Sequence, residues 1–189
     1  PIKGGIDEIK KRYNNYDLFY VMGFQTIKKI QFLPKNRTLI GIHSCHSWDN
    51  KKTTPTNVVY PDSKLVDNLN SYLRVNAVSK YLYDVFKKSG LDKIYYTPNG
   101  VDSNVFMPKE NKNKEFTVGY SGTKSHDWRK GITSFIIPAA KKSGVKVSLA
   151  MRSTGSHIPL EEMPSFYNTL DAYICASSSE GFSLSVLEA

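Results

Sequence analysis

The chain has 189 residues, of which 40% are hydrophobic and 23% charged, the balance of a soluble globular protein and not of a disordered or collagenous one. No apolar run approaches the ~20 residues that a membrane helix needs, and two cysteines, Cys45 and Cys175, are too few for a disulfide framework, which points to a reducing, cytoplasmic setting. The net charge of +9 favours anionic partners, yet the runs EIKKR and KENKNKE read as solvated faces and no nucleic-acid motif or single basic stripe is present, so nucleic acid is not an expected partner.

The chain opens on PIKGG, with neither an initiator methionine nor the basic-then-apolar start of a signal peptide, and is expected to be truncated there. DLFYVMG (17–23) reads as a buried strand, and TLIGIHS (38–44) as another that ends in polar residues. SKLVDNLNSYLR (63–74) places Leu65, Leu69, Tyr72 and Leu73 at helical spacing, and VNAVS (75–79) is a short strand. KYLYDVFKKSG (80–90) is helical through Tyr81, Leu82, Val85 and Phe86, with Gly90 as its stop. KIYYTP (93–98) is a strand, PNG (98–100) a turn, and KENKNKE (109–115) a charged linker.

A second series follows the linker. FTVGYSG (116–122) is a strand running into a small-residue turn. GITSFIIPAAKKSG (131–144) is helical, with Ile132, Phe135, Ile136, Ala139 and Ala140 on one face and a kink expected at Pro138. VKVSLA (145–150) is a strand, EEMPSFYNTL (161–170) a helix through Met163, Phe166, Tyr167 and Leu170, and DAYICAS (171–177) a strand. Phe166, Tyr167 and Cys175 read as packing residues, and Trp128 as a partly buried anchor. Strands alternating with helices predict α/β layers with parallel sheets, in two units divided at 108/109, residues 1–108 and 109–189.

In open α/β sheets, ligands bind beyond the carboxyl ends of the strands. Those places hold His43, Ser44, Cys45 and His46 after TLIGI; Ser121, Gly122 and Thr123 after FTVGY; Met151 and Arg152 after VKVSLA; and Ser178, Ser179 and Glu180 after DAYICAS. The closing stretch EGFSLSVLE sets Glu180 and Glu188 on either side of a helix start. Gly181 lets the backbone approach a ligand, and Ser183 is a plausible N-cap for a helix through Leu184, Val186 and Leu187. Free amides at that start suit a phosphate, and Glu188 falls roughly 7–8 Å farther along, about the span from diphosphate to ribose. An ordinary helix-end carboxylate plus a surface glutamate fits the spacing equally well. His43, Cys45, His46 and Asp49 match no standard zinc spacing, so no metal is expected.

EGFSLSVLEA resembles the E-x7-E segment of retaining glycosyltransferases of the GT-B fold, family 4 in particular. NAVSKYLYDVFKKSGLDKIYYTPNGVDSNVFMP (76–108), FTVGYSG with RKGI (116–132) and IPLEEMPSFYNTLDAYICASSSEGF (158–182) are similar to successive parts of that family, so the resemblance covers about residues 75–189. It implies two doubly wound, Rossmann-like domains facing across a cleft, both incomplete here. It implies transfer of a sugar from a nucleotide diphosphate sugar to a carbohydrate, lipid-linked or other acceptor, with retention, without cofactor or metal. By the same resemblance Glu180 contacts the transferred sugar, Glu188 binds the ribose, and Lys130 neutralises the diphosphate. The backbone at Phe182, Ser183 and Leu184, with Gly181, Gly122 and Thr123, completes the donor site, and His43 stands near the sugar, with His46 competing for that role. The family has an arginine where this chain has Thr123, and Lys124 or Arg129 can supply that charge. A degenerate nucleotide-sugar or anion-binding protein is the alternative. The basic surface suits peripheral docking on an anionic membrane leaflet.

Overall fold

The computed structural model describes residues 5–44, 48, 58–110, 115–151 and 155–189, with the side chains of 24–26 excepted. Cys45, His46, Asp49 and Arg152 lie outside the described residues. The chain divides into two compact units, Pro1–Asn99 and Gly100–Ala189. The charged run suggests 108/109 instead. Segment 106–109 lies with the second unit because it bonds and packs there: Asn168 Nδ2 donates to Met107 O (3.0 Å), the Lys109 amide to Asn168 Oδ1 (2.6 Å), and Phe106 stacks on Tyr167 at 6.1 Å.

The first unit begins with α1 (Ile6–Arg12), then β1 (Phe19–Met22) and β2 (Thr38–Ile42). Next come α2 (Ser63–Asn70), β3 (Arg74–Ala77), α3 (Lys80–Lys88) and β4 (Ile94–Tyr96). The four strands form one parallel sheet in the order β1-β2-β3-β4. Parallel neighbours need crossovers, and α2 and α3 supply them for β3 and β4. Both helices start on side-chain caps: Asp62 Oδ1 accepts from the Leu65 amide (2.8 Å) and Ser79 Oγ from the Leu82 amide (3.3 Å). Their inner faces bury Val66 and Leu69, and Leu82, Val85 and Phe86. Full burial of each large side chain stabilises by about 1.5–3 kcal/mol. The helix predicted for 63–74 stops at Asn70 because the chain must straighten into β3. Tyr72 enters the core from the turn, and the Leu73 amide donates to Lys35 O (2.8 Å).

The second unit contains β5 (Thr117–Gly122), α4 (Asp127–Lys130), α5 (Ile137–Ser143) and β6 (Lys146–Met151). It closes with α6 (Met163–Tyr167), β7 (Ala172–Tyr173) and α7 (Leu184–Glu188). Its sheet is parallel with β5 central, in the order β6-β5-β7. One core cluster holds Tyr120, Ile132, Ile136 and Met151; the other holds Ala150, Met163, Phe166 and Tyr167. β5 is buried from Thr117 to Tyr120 and emerges at Ser121 and Gly122, which brings its carboxyl end to the surface. The predicted helix 131–144 is two pieces, a π-helical turn over Ile132–Ile136 and then α5. Pro138 falls in the first turn of α5, where a missing N–H costs nothing, so it begins a helix and does not kink one. Among the described residues no helix is long and apolar enough to cross a membrane.

Candidate functional site

The carboxyl ends of β5 and β6, α4 and α7 surround a cavity of about 410 Å³. Gly122, Thr123, Lys130, Leu184 and Glu188 all line it, and so does Arg129. Gly122 has a packing reason to be glycine: an added Cβ would run into the Tyr120 hydroxyl. That hydroxyl is buried with no hydrogen-bond partner among the described residues.

Lys130 owes its aim to a tight local turn. Gly131 closes α4 in the left-handed region at φ 68°, and its amide donates to Asp127 O (2.9 Å). A Cβ at Gly131 would sit 2.7 Å from Phe135 Cδ2 and 3.2 Å from Ala176 O, so the turn requires glycine. Asp127 then caps the next turn, with Oδ1 accepting from the Ile132 (2.7 Å) and Thr133 (3.0 Å) amides and Oδ2 from the Thr133 hydroxyl. The bonds from the Thr133 hydroxyl and amide, with that from Ile132, outweigh desolvation and hold the Asp127 carboxyl below its ordinary range.

Glu180 is not part of the cavity lining but is joined to both of its cations, Arg129 and Lys130. Its Oε1 accepts from Lys130 Nζ and lies 3.9 Å from an Arg129 guanidinium nitrogen; the Arg129 and Lys130 side chains are 12% and 17% exposed. Burial pushes the Glu180 carboxyl up, but hydrogen bonds from Lys130 and Ser177 and the charges of Lys130 and Arg129 overcome it, leaving the group below its ordinary value and ionised. Arg129 is fixed by its neighbours: it donates to Ser179 O (3.3 Å), meets His126 Nδ1 (3.1 Å), and its own carbonyl accepts from the Ser178 amide (2.8 Å). The result is a half-buried, net-positive corner suited to an anion.

Glu188 forms the other wall. Its Oε2 accepts from the Tyr167 hydroxyl at 2.9 Å, and that hydroxyl lies 3.2 Å from Ser121 Oγ. The spacing read from sequence treats Tyr167 as core. Its ring is indeed buried, but its hydroxyl reaches the cavity, and no helical periodicity could reveal that partner. His126, His157 and Ser185 also line the cavity without any sequence signal marking them.

The remaining expected residues lie as follows. Gly181, Phe182 and Ser183 are partly exposed in the chain leading from Glu180 to α7. Ser183 holds the N-cap position, but its hydroxyl makes no capping bond to α7. Thr123 Oγ1 meets Ser125 Oγ at 3.2 Å. His43 belongs to the first unit, at the carboxyl end of β2, where its Nε2 lies 3.0 Å from the Tyr20 hydroxyl; burial lowers its pKa, so the ring is neutral near pH 7. Cys175 is exposed and not packed, because strand pairing ends at Tyr173, and Trp128 is 52% exposed, no buried anchor. Among the described residues no group of three or more His, Cys, Asp or Glu is placed to hold a metal ion.

The sequence matches no protein-family model and no curated protein sequence. Solved structures do match. A point mutant of S. aureus TarM, in complex with fondaparinux, alpha-GlcNAc-glycerol and UDP, superposes with a TM-score of 0.67 at 14% identity, over 96% of this chain and 42% of that one. Sucrose-phosphate synthase from Thermosynechococcus elongatus gives 0.67 at 15% identity, over 97% of this chain and 56% of that one. A second TarM structure gives 0.55 at 14% identity, over 99% and 43%. The chain thus spans about half the length of these proteins, and it shares with them the GT-B glycosyltransferase fold.

Proposed function

We propose that this chain is part of a retaining glycosyltransferase, similar to family 4, that moves a sugar from a nucleoside diphosphate sugar to an acceptor hydroxyl. The observation that carries the reading is the placement of Arg129, Lys130 and Glu188 around one cavity at the carboxyl end of a parallel sheet, with Glu180 paired to Lys130. Glu188 takes the ribose hydroxyls. Lys130, Arg129 and the backbone amides at 182–184 take the diphosphate, with Arg129 filling the place left by Thr123. Glu180 addresses the transferred sugar. No protein nucleophile or metal is required: positioning and electrostatic stabilisation of the departing diphosphate supply the catalysis. The setting is cytoplasmic, in polysaccharide assembly, with the net charge of +9 favouring peripheral contact with an anionic leaflet.

A second reading, a nucleotide-sugar binder without turnover, is favoured by Thr123 in the arginine position and by the neutralisation of Lys130 by Glu180. Two variants of the full-length protein separate these. Glu188→Ala is expected to weaken nucleoside diphosphate binding about 10–100-fold, the loss of a charge-assisted hydrogen bond. Glu180→Ala is expected to leave binding nearly intact while slowing transfer by about 10²-fold. Binding without transfer in the parent protein selects the second reading, and full binding in Glu188→Ala removes both.

A further inference from the structure

Glu188 ends a helix of only 5 residues, Leu184–Glu188, on which Leu184, Val186 and Leu187 are all exposed. So short a helix is not stable by itself and cannot fix a carboxylate at its end. The restraint comes from elsewhere. The Tyr167 ring is buried and held by three others: Phe166 at 5.6 Å, Tyr173 at 5.6 Å and Phe106 at 6.1 Å between centroids. Its hydroxyl meets Glu188 Oε2 at 2.9 Å and Ser121 Oγ at 3.2 Å. Ser121 Oγ in turn lies 2.9 Å from the Tyr173 hydroxyl, which also accepts from the Ser121 amide (3.1 Å).

The direction of this chain follows from its end. An ionised carboxylate only accepts, so Tyr167 donates to Glu188. The Tyr167 oxygen then accepts from Ser121 Oγ, and the Tyr173 hydroxyl shares its one proton between Ser121 Oγ (2.9 Å) and the Ser121 carbonyl (3.3 Å). The Tyr167 and Ser121 hydroxyls each have one proton and spend it toward Glu188, so that pair is aligned by the charge and strengthened by it. Desolvation raises the pKa of the Tyr167 hydroxyl, as does its bond to Glu188, so it stays a donor well above neutral pH.

We infer that Tyr167 is a positioning residue that holds the Glu188 carboxylate against the ribose and thereby sets discrimination between ribose and deoxyribose. Oε2 is committed to Tyr167, and Oε1 is left to meet a ligand hydroxyl. This rests on the donor-site reading above, and the two can fail separately. The test is calorimetric binding of UDP, GDP and ADP, and of their 2′,3′-dideoxy counterparts, to the full-length protein. The parent protein is expected to bind at least one ribonucleotide and to bind its dideoxy form more weakly. Tyr167→Phe keeps the ring and removes the hydroxyl. It is expected to weaken the ribonucleotide about tenfold, as for a charged hydrogen bond, and to leave the dideoxy form unchanged. Glu188→Ala should abolish discrimination, and adding Tyr167→Phe to it should change nothing further. If Tyr167→Phe keeps the parental ratio while Glu188→Ala loses it, the positioning role is overturned and the donor reading stands. If Tyr167→Phe weakens both ligands alike, Tyr167 is only a packing residue and the inference is again overturned. A parent protein that binds none of these nucleotides, or a Glu188→Ala variant that still discriminates, brings down the donor reading and the inference with it.

Discussion

In the first unit the interior closes on side chains that water does not reach: Ile40, Leu69, Val75, Leu82 and Phe86 are wholly buried. Of the large side chains in that state among the described residues, all but Tyr120 belong to the first unit. Among the described residues, the second unit divides its buried apolar side chains between two small clusters, and hydroxyl groups run through one of them from Tyr173 to Glu188. Tyr120, its one wholly buried large residue, carries a hydroxyl without a described partner, a feature that costs about 1–3 kcal/mol. Two sheets of the same parallel kind are therefore held differently. One rests on packing and capped helices. The other gives up core depth and is tied by polar bonds that converge on its cavity.

The largest expected effect tests the packing side of that contrast. Phe86→Ala removes a ring at 0% exposure and should cost about 3–5 kcal/mol, transfer plus cavity. Phe166→Ala in the second unit, at 6% exposure in a smaller cluster, should cost less because its surroundings can collapse into the space. Native-state hydrogen exchange at the amides of β3 and β5 reads each unit separately. Equal losses in the two units would erase the distinction.

A smaller effect tests the polar side. The Asp127 carboxyl lies below its unfolded value, so the stability it contributes is complete above about pH 4 and is lost as pH falls through the folded value. Asp127→Ala should cost about 1 kcal/mol at neutral pH, as for other caps. It should also remove the acid-induced loss of protection expected at the Ile132 and Thr133 amides of the parent. Protection there that falls on acidification in both proteins would show that another group governs the turn.

What the sequence revealed and what it hid divide along the same line. The strands were readable because buried parallel strands are nearly continuous apolar runs, as in TLIGI and VKVSLA, and α3 was readable from Lys80 to its stop at Gly90 because its apolar period and stop signal are local, while its cap at Ser79 was read as the end of a strand. α4 was not, since DWRK has no room for an apolar period, and neither was the π-helical turn, which begins at Gly131, where a side chain would crowd Phe135 and Ala176. The boundary of α2 was misread because Tyr72 is apolar at the right spacing but belongs to a turn. The pairing of Glu180 with Lys130 spans 50 positions, and that of Glu188 with Tyr167 spans 21. Periodicity records which side chains face inward, and it does not record which hydroxyl meets which carboxylate. Gly122 and Glu188 were marked by the strand-end rule and by spacing, but Lys130 was joined to them by family resemblance alone, since no local pattern links the three.

The smallest expected effect comes from a charge pair in the first unit. Lys80 opens α3 and pairs with Asp84 one turn on, with the two side chains 67% and 43% exposed. A lysine in the first turn faces the positive end of the helix, and lysine ahead of aspartate is the less favourable order for such a pair. Asp84 relieves Lys80 more than it binds the helix together. Asp84→Ala should therefore change the stability of the first unit by no more than about 0.5 kcal/mol. Even that should vanish near 1 M salt, where screening acts within about 3 Å. Lys130 and Glu180 carry the same charges at 17% and 26% exposure, where solvent screens far less. A cost above about 1 kcal/mol for Asp84→Ala, beyond what exposed pairs give, would mean that the first unit also leans on charge, and packing would no longer be what sets it apart.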